Sequence, residues 1–490
     1  MSEYYETDYS LYVRVNRTLS SHQGRLPDDF VMNRKNDIGG IMISEGCVDK
    51  LLFRYGPDLD ATPYEHILEV AGKDEEAACY ASERVFSEVP VRYVLMQEEM
   101  HAWLWEHHDL MQKESVQSFL KRRIYETSDV EELKFLLDAC RELDHYDPQL
   151  QVMIRKLAES GEVASYCYPA VRKFPDGNEV VFQIAENAEG QAKAEAIYEL
   201  YPDDEEKKRW LMDHGKPKYL GWYSTGAVIA RKCNFQAMLE DPDLSLKDRD
   251  RIGEITSCFL EEGAAVGLHE LPDWEGLCRK YIHLVRKQPT AEGISHISHE
   301  YECLEKVQNH PAVIRLIQEC EEAMNDEKIL YYAKERVRKG RDMILSDILF
   351  IPYDEKTVFR SLCRDFDENW RNVLYLNELD YKVKAFGLLR KQKSITEYLK
   401  PYIQALKDER MFTDTDEVFV KQCMDLLKEG LRKCRRTTAD TILYLQRKGV
   451  VLDDEINAYM KAYEQKRREA DRRYPGRGEM SEISAELKRS

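Results

Sequence analysis

Residues 98–109, EEMHAWLWEHHD, form the densest cluster of chemically versatile side chains in the sequence. The window holds three of the chain's 12 histidines, two of its 6 tryptophans and four carboxylates. Histidines and carboxylates at helical spacing can ligate a metal ion or exchange protons. The window therefore raises three alternatives, which are a metal site, a catalytic site and a packed helix.

Placed on a helix at 100° per residue, residues 96–111 divide into two faces. One face predicts core packing, with His107 in its middle: Met96, Met100, Trp103, Leu104, His107, Leu110 and Met111. The other face predicts an exposed interaction patch: Glu98, His101, Trp105, His108 and Asp109. Because His108 lies two turns from His101, about 10 Å along the axis, the two cannot ligate one ion directly. A second ExxH, from Glu142 to His145, leaves open whether another helix brings a ligand to Glu98 and His101.

A second metal-like pattern is SHISHEYEC at 295–303. His296 and Glu300 are four residues apart, as are His299 and Cys303, so all four lie near one face of a helix. One helix usually supplies two or three ligands, and the sequence names no partner for them. The alternative is a boundary row on a buried helix, and we expect that reading to hold.

Arg17 and His22 have the RxxxxH spacing that HEPN-type ribonucleases use on RNA. They follow the strand-like run SLYVRVN, so the pattern predicts a turn around them rather than a helix. A metal-dependent or HEPN-like hydrolase is therefore kept only as an alternative. No GxGxxG or GxSxG motif occurs, which disfavours ordinary dehydrogenase and α/β-hydrolase activities, and the sequence predicts no cofactor.

The basic residues concentrate late in the chain. Residues 1–250 carry 30 Lys and Arg against 48 Asp and Glu, whereas residues 381–490 carry 25 against 18, within a total net charge of −19. Because phosphate neutralisation drives sequence-independent nucleic-acid binding, only the C-terminal third could supply such a surface. Its candidate contacts to nucleic acid or an acidic partner are Arg390, Lys391, Lys393, Arg432, Lys433, Arg435 and Arg436.

Composition predicts a folded protein, since 43% of the residues are hydrophobic and 10% aromatic. The 12 cysteines are scattered with no CxxC, which favours reduced, buried thiols in the cytoplasm. No apolar run reaches 18 residues and the start MSEYYETDYS is acidic, so we expect neither membrane association nor secretion.

The elements that must position these residues are predicted to be mainly α-helical, in an irregular array or bundles without a repeat. Alternation in SLYVRVN (10–16), together with DIGGIMIS (37–44) and KLLFRYG (50–56), predicts strands in a small α+β N-terminal unit. VRKFPDGNEVVFQI predicts one inserted β-hairpin at about 166–184. Helix starts are predicted at a Ser128 capping box and at Asp147-Pro148.

These signals predict five segments: a mixed unit at 1–95, a helical domain with the hairpin at 96–215, a helical domain at 216–380, a basic helical domain at 381–474, and a mobile tail at 475–490. The sequence favours a non-catalytic helical interaction or scaffold protein that binds another protein or itself, because exposed aromatics such as Trp105 are enriched at interfaces. A nucleic-acid-associated protein using the C-terminal third is the first alternative.

Overall fold

The computed structural model describes residues 10–27, 30–32, 37–38, 41–42, 49, 53, 59–88, 92–218, 221–258, 271, 273–306, 311–393 and 395–473. Within these ranges the fold is almost entirely helical, as predicted, with 28 α-helices and one two-residue strand pairing. The chain divides into two compact units, one formed by Met1–Pro242 with Cys258–Trp274 and the other by Asp243–Ser257 with Glu275–Ser490. The predicted segment boundaries at 95, 215 and 380 stay predictions.

The first unit is a set of short helices joined by short turns. They are α1 (Leu11–Ser21), α2 (Thr62–Ala71), α3 (Glu75–Glu88), α4 (Gln97–Glu106), α5 (His108–Met111), α6 (Glu114–Glu126), α7 (Val130–Ala139), α8 (Pro148–Leu157), α9 (Ala164–Val171), α10 (Gly177–Asn187), α11 (Gly190–Glu199), α12 (Glu205–His214), α13 (Gly226–Lys232) and α14 (Phe235–Met238). Short 3-10 helices span Tyr93–Met96, Cys140–Glu142 and Trp222–Ser224. The central helix is α7, which contacts α3, α6 and α9.

The second unit contains longer amphipathic helices. They are α15 (Leu246–Cys258), α16 (Trp274–Lys287), α17 (Ala291–Glu305), α18 (Pro311–Met324), α19 (Glu327–Arg338), α20 (Ile344–Ile348), α21 (Glu355–Arg364), α22 (Phe366–Asn369), α23 (Leu379–Leu389), α24 (Ile395–Ala405), α25 (Arg410–Thr413), α26 (Glu417–Lys433), α27 (Arg435–Arg447) and α28 (Asp454–Arg473). A 3-10 helix, Trp370–Tyr375, contacts α21 and α24. Among the described residues, no helix is long and apolar enough to span a bilayer.

The predicted β-hairpin at 166–184 is wrong, because α9 and α10 occupy this stretch. Val180, Val181, Ile184 and Ala185 are all buried at i, i+1, i+4 and i+5, which is helical spacing. The β-branched residues and the PDGN turn suggested strands, but packing of one helix face overrode that local preference.

The strand predicted at 10–16 is also wrong, because these residues begin α1. Ser10 caps the helix by accepting a hydrogen bond from the Val13 amide at 3.3 Å. Leu11, Val15 and Leu19 are buried at i, i+4 and i+8. A seven-residue window shows the alternation but ends before Leu19 reveals the helical period.

The predicted α+β unit at 1–95 is not seen in the part of the chain that the structure describes. Its strands there are two residues each, with Asp37–Ile38 (β1) antiparallel to Ile41–Met42 (β2). Two residues are too few to form a sheet that could pack against helices. The strand predicted at 50–56, apart from Phe53, and the tail at 475–490 lie outside the described residues.

Of the two predicted helix starts, one is confirmed and the other is displaced by one residue. Asp147-Pro148 opens α8 as expected, and Asp147 accepts hydrogen bonds from the amides of Gln149 and Leu150 at 2.8 and 3.3 Å. At α7 the cap is Asp129 rather than Ser128, because its side chain accepts from the amides of Glu131 and Glu132 at 2.8 and 3.0 Å. The sequence located the helix but placed its cap one residue early.

Candidate functional site

The window EEMHAWLWEHHD forms two helices, α4 and α5, rather than the single predicted helix. The break falls at His107, whose backbone has φ −108° and ψ 28°. Its Nδ1 hydrogen-bonds the Trp103 carbonyl at 2.9 Å, and its ring stacks on Trp103 with centroids 4.1 Å apart. His107 is therefore a half-buried residue that ends α4, and its predicted place in the core is only partly correct.

Trp105, the aromatic residue of the predicted interaction patch, is exposed in the structure. We call Glu98, His101, Trp105, His108 and Asp109 the Trp105 patch. Trp105 is 76% exposed, Glu98 and Asp109 are exposed, and the two histidines are partly covered. A tryptophan this exposed leaves most of its apolar surface in water. Contact with a partner would bury that surface.

Asp138 on α7 fixes the position of His101. The Nε2 of His101 lies 2.9 and 3.1 Å from the two carboxylate oxygens of Asp138. The buried Tyr93 hydroxyl donates to the same carboxylate at 2.8 Å, and Arg141 contacts both Asp138 and the His101 ring. A second helix therefore does bring a carboxylate to the patch, but an arginine occupies the position that a metal ion would need.

His108 is held by a second set of contacts. Its Nε2 lies 3.2 Å from an Asp144 oxygen, and its Nδ1 lies 3.7 Å from a Glu142 oxygen. Gln112 donates to the carbonyls of His108 and Glu142 at 3.2 and 2.8 Å. The glutamate of the second ExxH thus approaches His108 instead of Glu98.

The support beneath His101 comes from α7, which carries charged side chains on buried faces. Glu132 accepts two bonds from Arg123, both at 2.9 Å, and one each from Ser82 at 2.6 Å and Thr127 at 2.5 Å. Both Glu132 and Arg123 are buried. Every carboxylate oxygen is paired, so this ion pair fixes the helix against its neighbours.

A second buried ion pair lies on α7 at Lys134, which is 0% exposed. Its ammonium lies 2.6 Å from an Asp49 oxygen and 2.9 Å from a Glu131 oxygen, and Tyr166 donates to Asp49 at 3.1 Å. Burial lowers the pKa of Lys134, but the negative charges of Glu131 and Asp49 outweigh burial, and the net shift is upward. Lys134 therefore stays charged in the core.

The sequence of α7 indicates that the helix carries buried charges, but residue spacing alone does not identify their partners. Within ELKFLLDA, three charged positions (Glu132, Lys134 and Asp138) share faces with the apolar residues. Charges on every face of an otherwise apolar helix indicate buried ion pairs, because isolated buried charges are too costly. Their partners, such as Arg123 and Tyr93, depend on tertiary contacts.

Two of the four residues of the SHISHEYEC pattern contact each other on α17, and the other two meet different partners. His296 lies 3.2 Å from the Tyr281 hydroxyl, and His299 lies 3.9 Å from the Cys303 sulfur. Glu300 is fully buried beside the Cys278 thiol. Across the described ranges, no group of three or more His, Cys, Asp or Glu side chains is arranged to hold a metal.

The basic residues of the C-terminal third form a loose set around α24 and α26. Lys433 donates a hydrogen bond to the Thr396 hydroxyl at 2.7 Å. Thr396 follows Lys393 by three residues, so Lys433 and Lys393 belong to neighbouring parts of the surface. Arg390 lies on the Phe419 ring at 5.4 Å, about 21 Å along α26 from Lys433 by helix rise.

The remaining members of this basic set differ in what they contact. Arg435 lies on the Tyr459 ring at 5.8 Å. Lys391, Lys393 and Arg432 are exposed and have no ion-pair partner among the described residues. The Arg436 side chain lies outside the part that the structure describes. Three of the seven candidate contacts therefore have neither an ion pair nor a ring contact among the described residues.

The turn predicted around Arg17 and His22 is wrong for Arg17, which lies within α1, but correct for His22, which caps α1 and begins the turn at 22–24. The His22 Nδ1 lies 3.0 Å from the Thr18 carbonyl and 2.9 Å from the Ser21 hydroxyl. Both contacts are local to the helix end. The hydrolase alternative stays an untested prediction.

Comparisons with known proteins give little guidance. No protein-family model matches the chain, and a search of curated proteins finds no match. Among solved structures, a circular tandem repeat protein with novel repeat topology and enhanced subunit contact surfaces matches 88% of this chain and 100% of its own, at 13% identity and a TM-score of 0.19. A likeness at this TM-score supports no statement about fold or function.

Proposed function

We propose that this chain is a non-catalytic helical interaction protein that binds a protein partner through the Trp105 patch. The observation that carries the proposal is a tryptophan that is 76% exposed between two histidines, each held by carboxylates from other elements. Exposed tryptophans on a rigid base resemble the residues that dominate binding energy at protein interfaces.

The rigidity of the patch supports binding rather than structure alone. Asp138 is 1% exposed and is itself held by Tyr93 and Arg141, so the His101 ring is fixed before a partner arrives. A surface whose side chains are already ordered loses less conformational entropy on binding. The arrangement therefore favours affinity from a small contact area.

The charge of the patch indicates the chemistry of the partner. Glu98, Glu106 and Asp109 are exposed around Trp105, within a half of the chain that is strongly acidic. An arginine or lysine placed over the indole would gain a cation–π contact and meet these carboxylates. We therefore expect a basic segment on the partner and binding that weakens with salt.

A photo-crosslinking amino acid at position 105 tests the proposal. We expect it to capture a specific protein, and the mass of the product distinguishes another protein from a second copy of this chain. The matched control is the same amino acid at Tyr80, which is 70% exposed on α3. Equal, unspecific capture at both positions would contradict the proposal.

Nucleic-acid binding by the C-terminal third is a second proposal, supported by the three exposed cations that lack ion-pair partners in the described part. Replacing Lys391, Lys393 and Arg432 with glutamine should weaken RNA or DNA binding and reduce its salt dependence. Gel shifts at low and high salt measure both effects. Equal affinity of the triple variant would contradict this proposal.

A further inference from the structure

A cleft of about 320 Å³ lies in the first unit, and none of its lining residues belongs to the Trp105 patch. Its walls come from the end of α1 and the turn that follows it, from α8 and the turn that follows it, and from α10. The lining residues are Leu19, Ser20, Gly24, Arg155, Lys156, Glu159, Val180, Gln183, Ile184 and Asn187. A cleft of this size is at the lower end of the range that holds small organic ligands.

The cleft combines an apolar floor with polar side chains. Leu19, Val180 and Ile184 are 6%, 3% and 3% exposed, so they present packed hydrocarbon. Gln183 and Asn187 lie on the same wall, and neither amide has a hydrogen-bond partner in the described part of the chain. Such a mixture of apolar surface and a few convergent polar groups is typical of ligand sites.

Glu159 is the unusual member of the lining. Its Oε2 is buried and has no hydrogen-bond partner within the described residues. Burial raises its pKa to about 8, against the opposing effect of Arg25, so the carboxyl is mainly protonated at neutral pH. A buried carboxyl oxygen without a partner is costly to fold, and a protonated carboxyl can donate its proton to a ligand.

The charges around the cleft are positive, unlike the rest of this half of the chain. Lys156 donates to the neutral Asn16 amide oxygen at 2.6 Å and has no carboxylate partner in the described ranges. Arg25 is exposed on the turn after α1, where Gln23 and Gly24 adopt positive φ. Arg155 is paired with Asp176 at 2.6 Å, so the net positive charge comes from Lys156 and Arg25.

We propose that this cleft binds a small organic anion, whose carboxylate or phosphate contacts Lys156 and Arg25 and accepts a hydrogen bond from Glu159. The carbon body of the ligand lies on Leu19, Val180 and Ile184, where the Gln183 and Asn187 amides can bond to its polar atoms. Lysine is a common phosphate and carboxylate ligand, and a protonated acid adds a donor that an ionised one lacks.

The groups that face Glu159 predict the pH dependence of binding. They are Arg25 after α1, Arg155 and Lys156 on α8, and Tyr168 on α9. The buried Tyr168 hydroxyl has no hydrogen-bond partner among the described residues, and its pKa is raised by burial and by Glu195, Cys167 and Glu159. Because only the protonated Glu159 donates, affinity should fall about tenfold from pH 7 to pH 9.

Calorimetric titration of the full chain with two probes tests the proposal. Adenosine monophosphate represents an organic phosphate, and hexanoate represents a carboxylate on an apolar body. We expect one probe to bind with the predicted pH dependence, which identifies the type of anion. Absence of binding by both probes at millimolar concentration would overturn the proposal.

Two variants separate the roles of the cleft residues. Lys156→Gln should weaken the probe by tenfold or more, whereas Lys73→Gln, an exposed lysine outside the lining, should leave affinity unchanged. Glu159→Gln keeps a neutral donor, so binding should persist while its dependence on pH disappears. Unchanged affinity in Lys156→Gln, or a Glu159→Gln variant that keeps the wild-type pH profile, would contradict the assignment.

Discussion

The helices α7 and α17 both carry charged side chains into a core, but they satisfy them very differently. On α7, Glu132 and Lys134 each have partners of opposite charge within 3 Å. On α17, the Glu300 Oε1 has no hydrogen-bond partner in the described part, and burial raises the pKa of this residue to about 7. The buried charges of α7 are stabilised by ion pairs, whereas burial of Glu300 on α17 favours its neutral, protonated form.

Burial also favours the neutral form of His296 on α17, but for a histidine this lowers the pKa instead of raising it. Burial lowers its pKa to about 4, against the attraction of Glu254 and Asp250. It is therefore neutral at pH 7 and needs no counter-charge. The comparison teaches that α7 holds its buried charges in ion pairs, whereas α17 carries two groups that burial favours in their neutral forms.

The largest expected effect comes from breaking the paired core. Glu132→Ala leaves the buried Arg123 guanidinium without its main partner and should lower the free energy of unfolding by about 3–5 kcal/mol. Chemical denaturation measures the loss. Glu83→Ala is the matched control, because it removes a 62% exposed partner of the same arginine and should cost less than about 1 kcal/mol. Equal losses in the two variants would contradict the special role of Glu132.

The next effect concerns Glu300, the buried acid on α17. Because the folded state raises the pKa of Glu300 from 4.5 to about 7, the folded state binds the proton more tightly. Its contribution to stability is complete below pH 4.5 and is lost as pH rises to 7, by about 3 kcal/mol. Glu300→Gln should therefore gain stability over wild type with increasing pH. A difference between the two proteins that does not change from pH 5 to pH 8, measured by denaturation, would contradict this account.

A smaller effect should follow from loosening the support of the patch. Asp138→Asn replaces the carboxylate that meets Tyr93, His101 and Arg141 with a neutral amide. We expect a loss of about 2 kcal/mol in unfolding free energy, together with weaker partner binding, since hydrogen bonds to a charged group are lost. If Asp138→Glu restores binding while its unfolding free energy stays as low as that of Asp138→Asn, the effects on stability and on binding are separate.

The sequence allowed the helical class and most of the apolar face of residues 96–111 to be predicted, because the apolar spacing there is local, but it did not show the break at His107. It failed at Val180 and Val15, whose β-branched side chains favour strands over short windows, while the helices form through burial of one face. The exposure of Trp105 follows from its position opposite Trp103 on the helix. The contact between His101 and Asp138 joins residues 37 positions apart, so no local pattern contains it.

The smallest expected effect on stability tests the central proposal most directly. Trp105→Ala removes a side chain that is mostly in water, so unfolding free energy should change by less than about 0.5 kcal/mol. The decisive measurement is the affinity of the partner crosslinked at position 105 for wild type, Trp105→Ala and Tyr80→Ala. We predict at least a tenfold loss in Trp105→Ala and none in Tyr80→Ala. Unchanged affinity in Trp105→Ala would show that the patch does not carry binding.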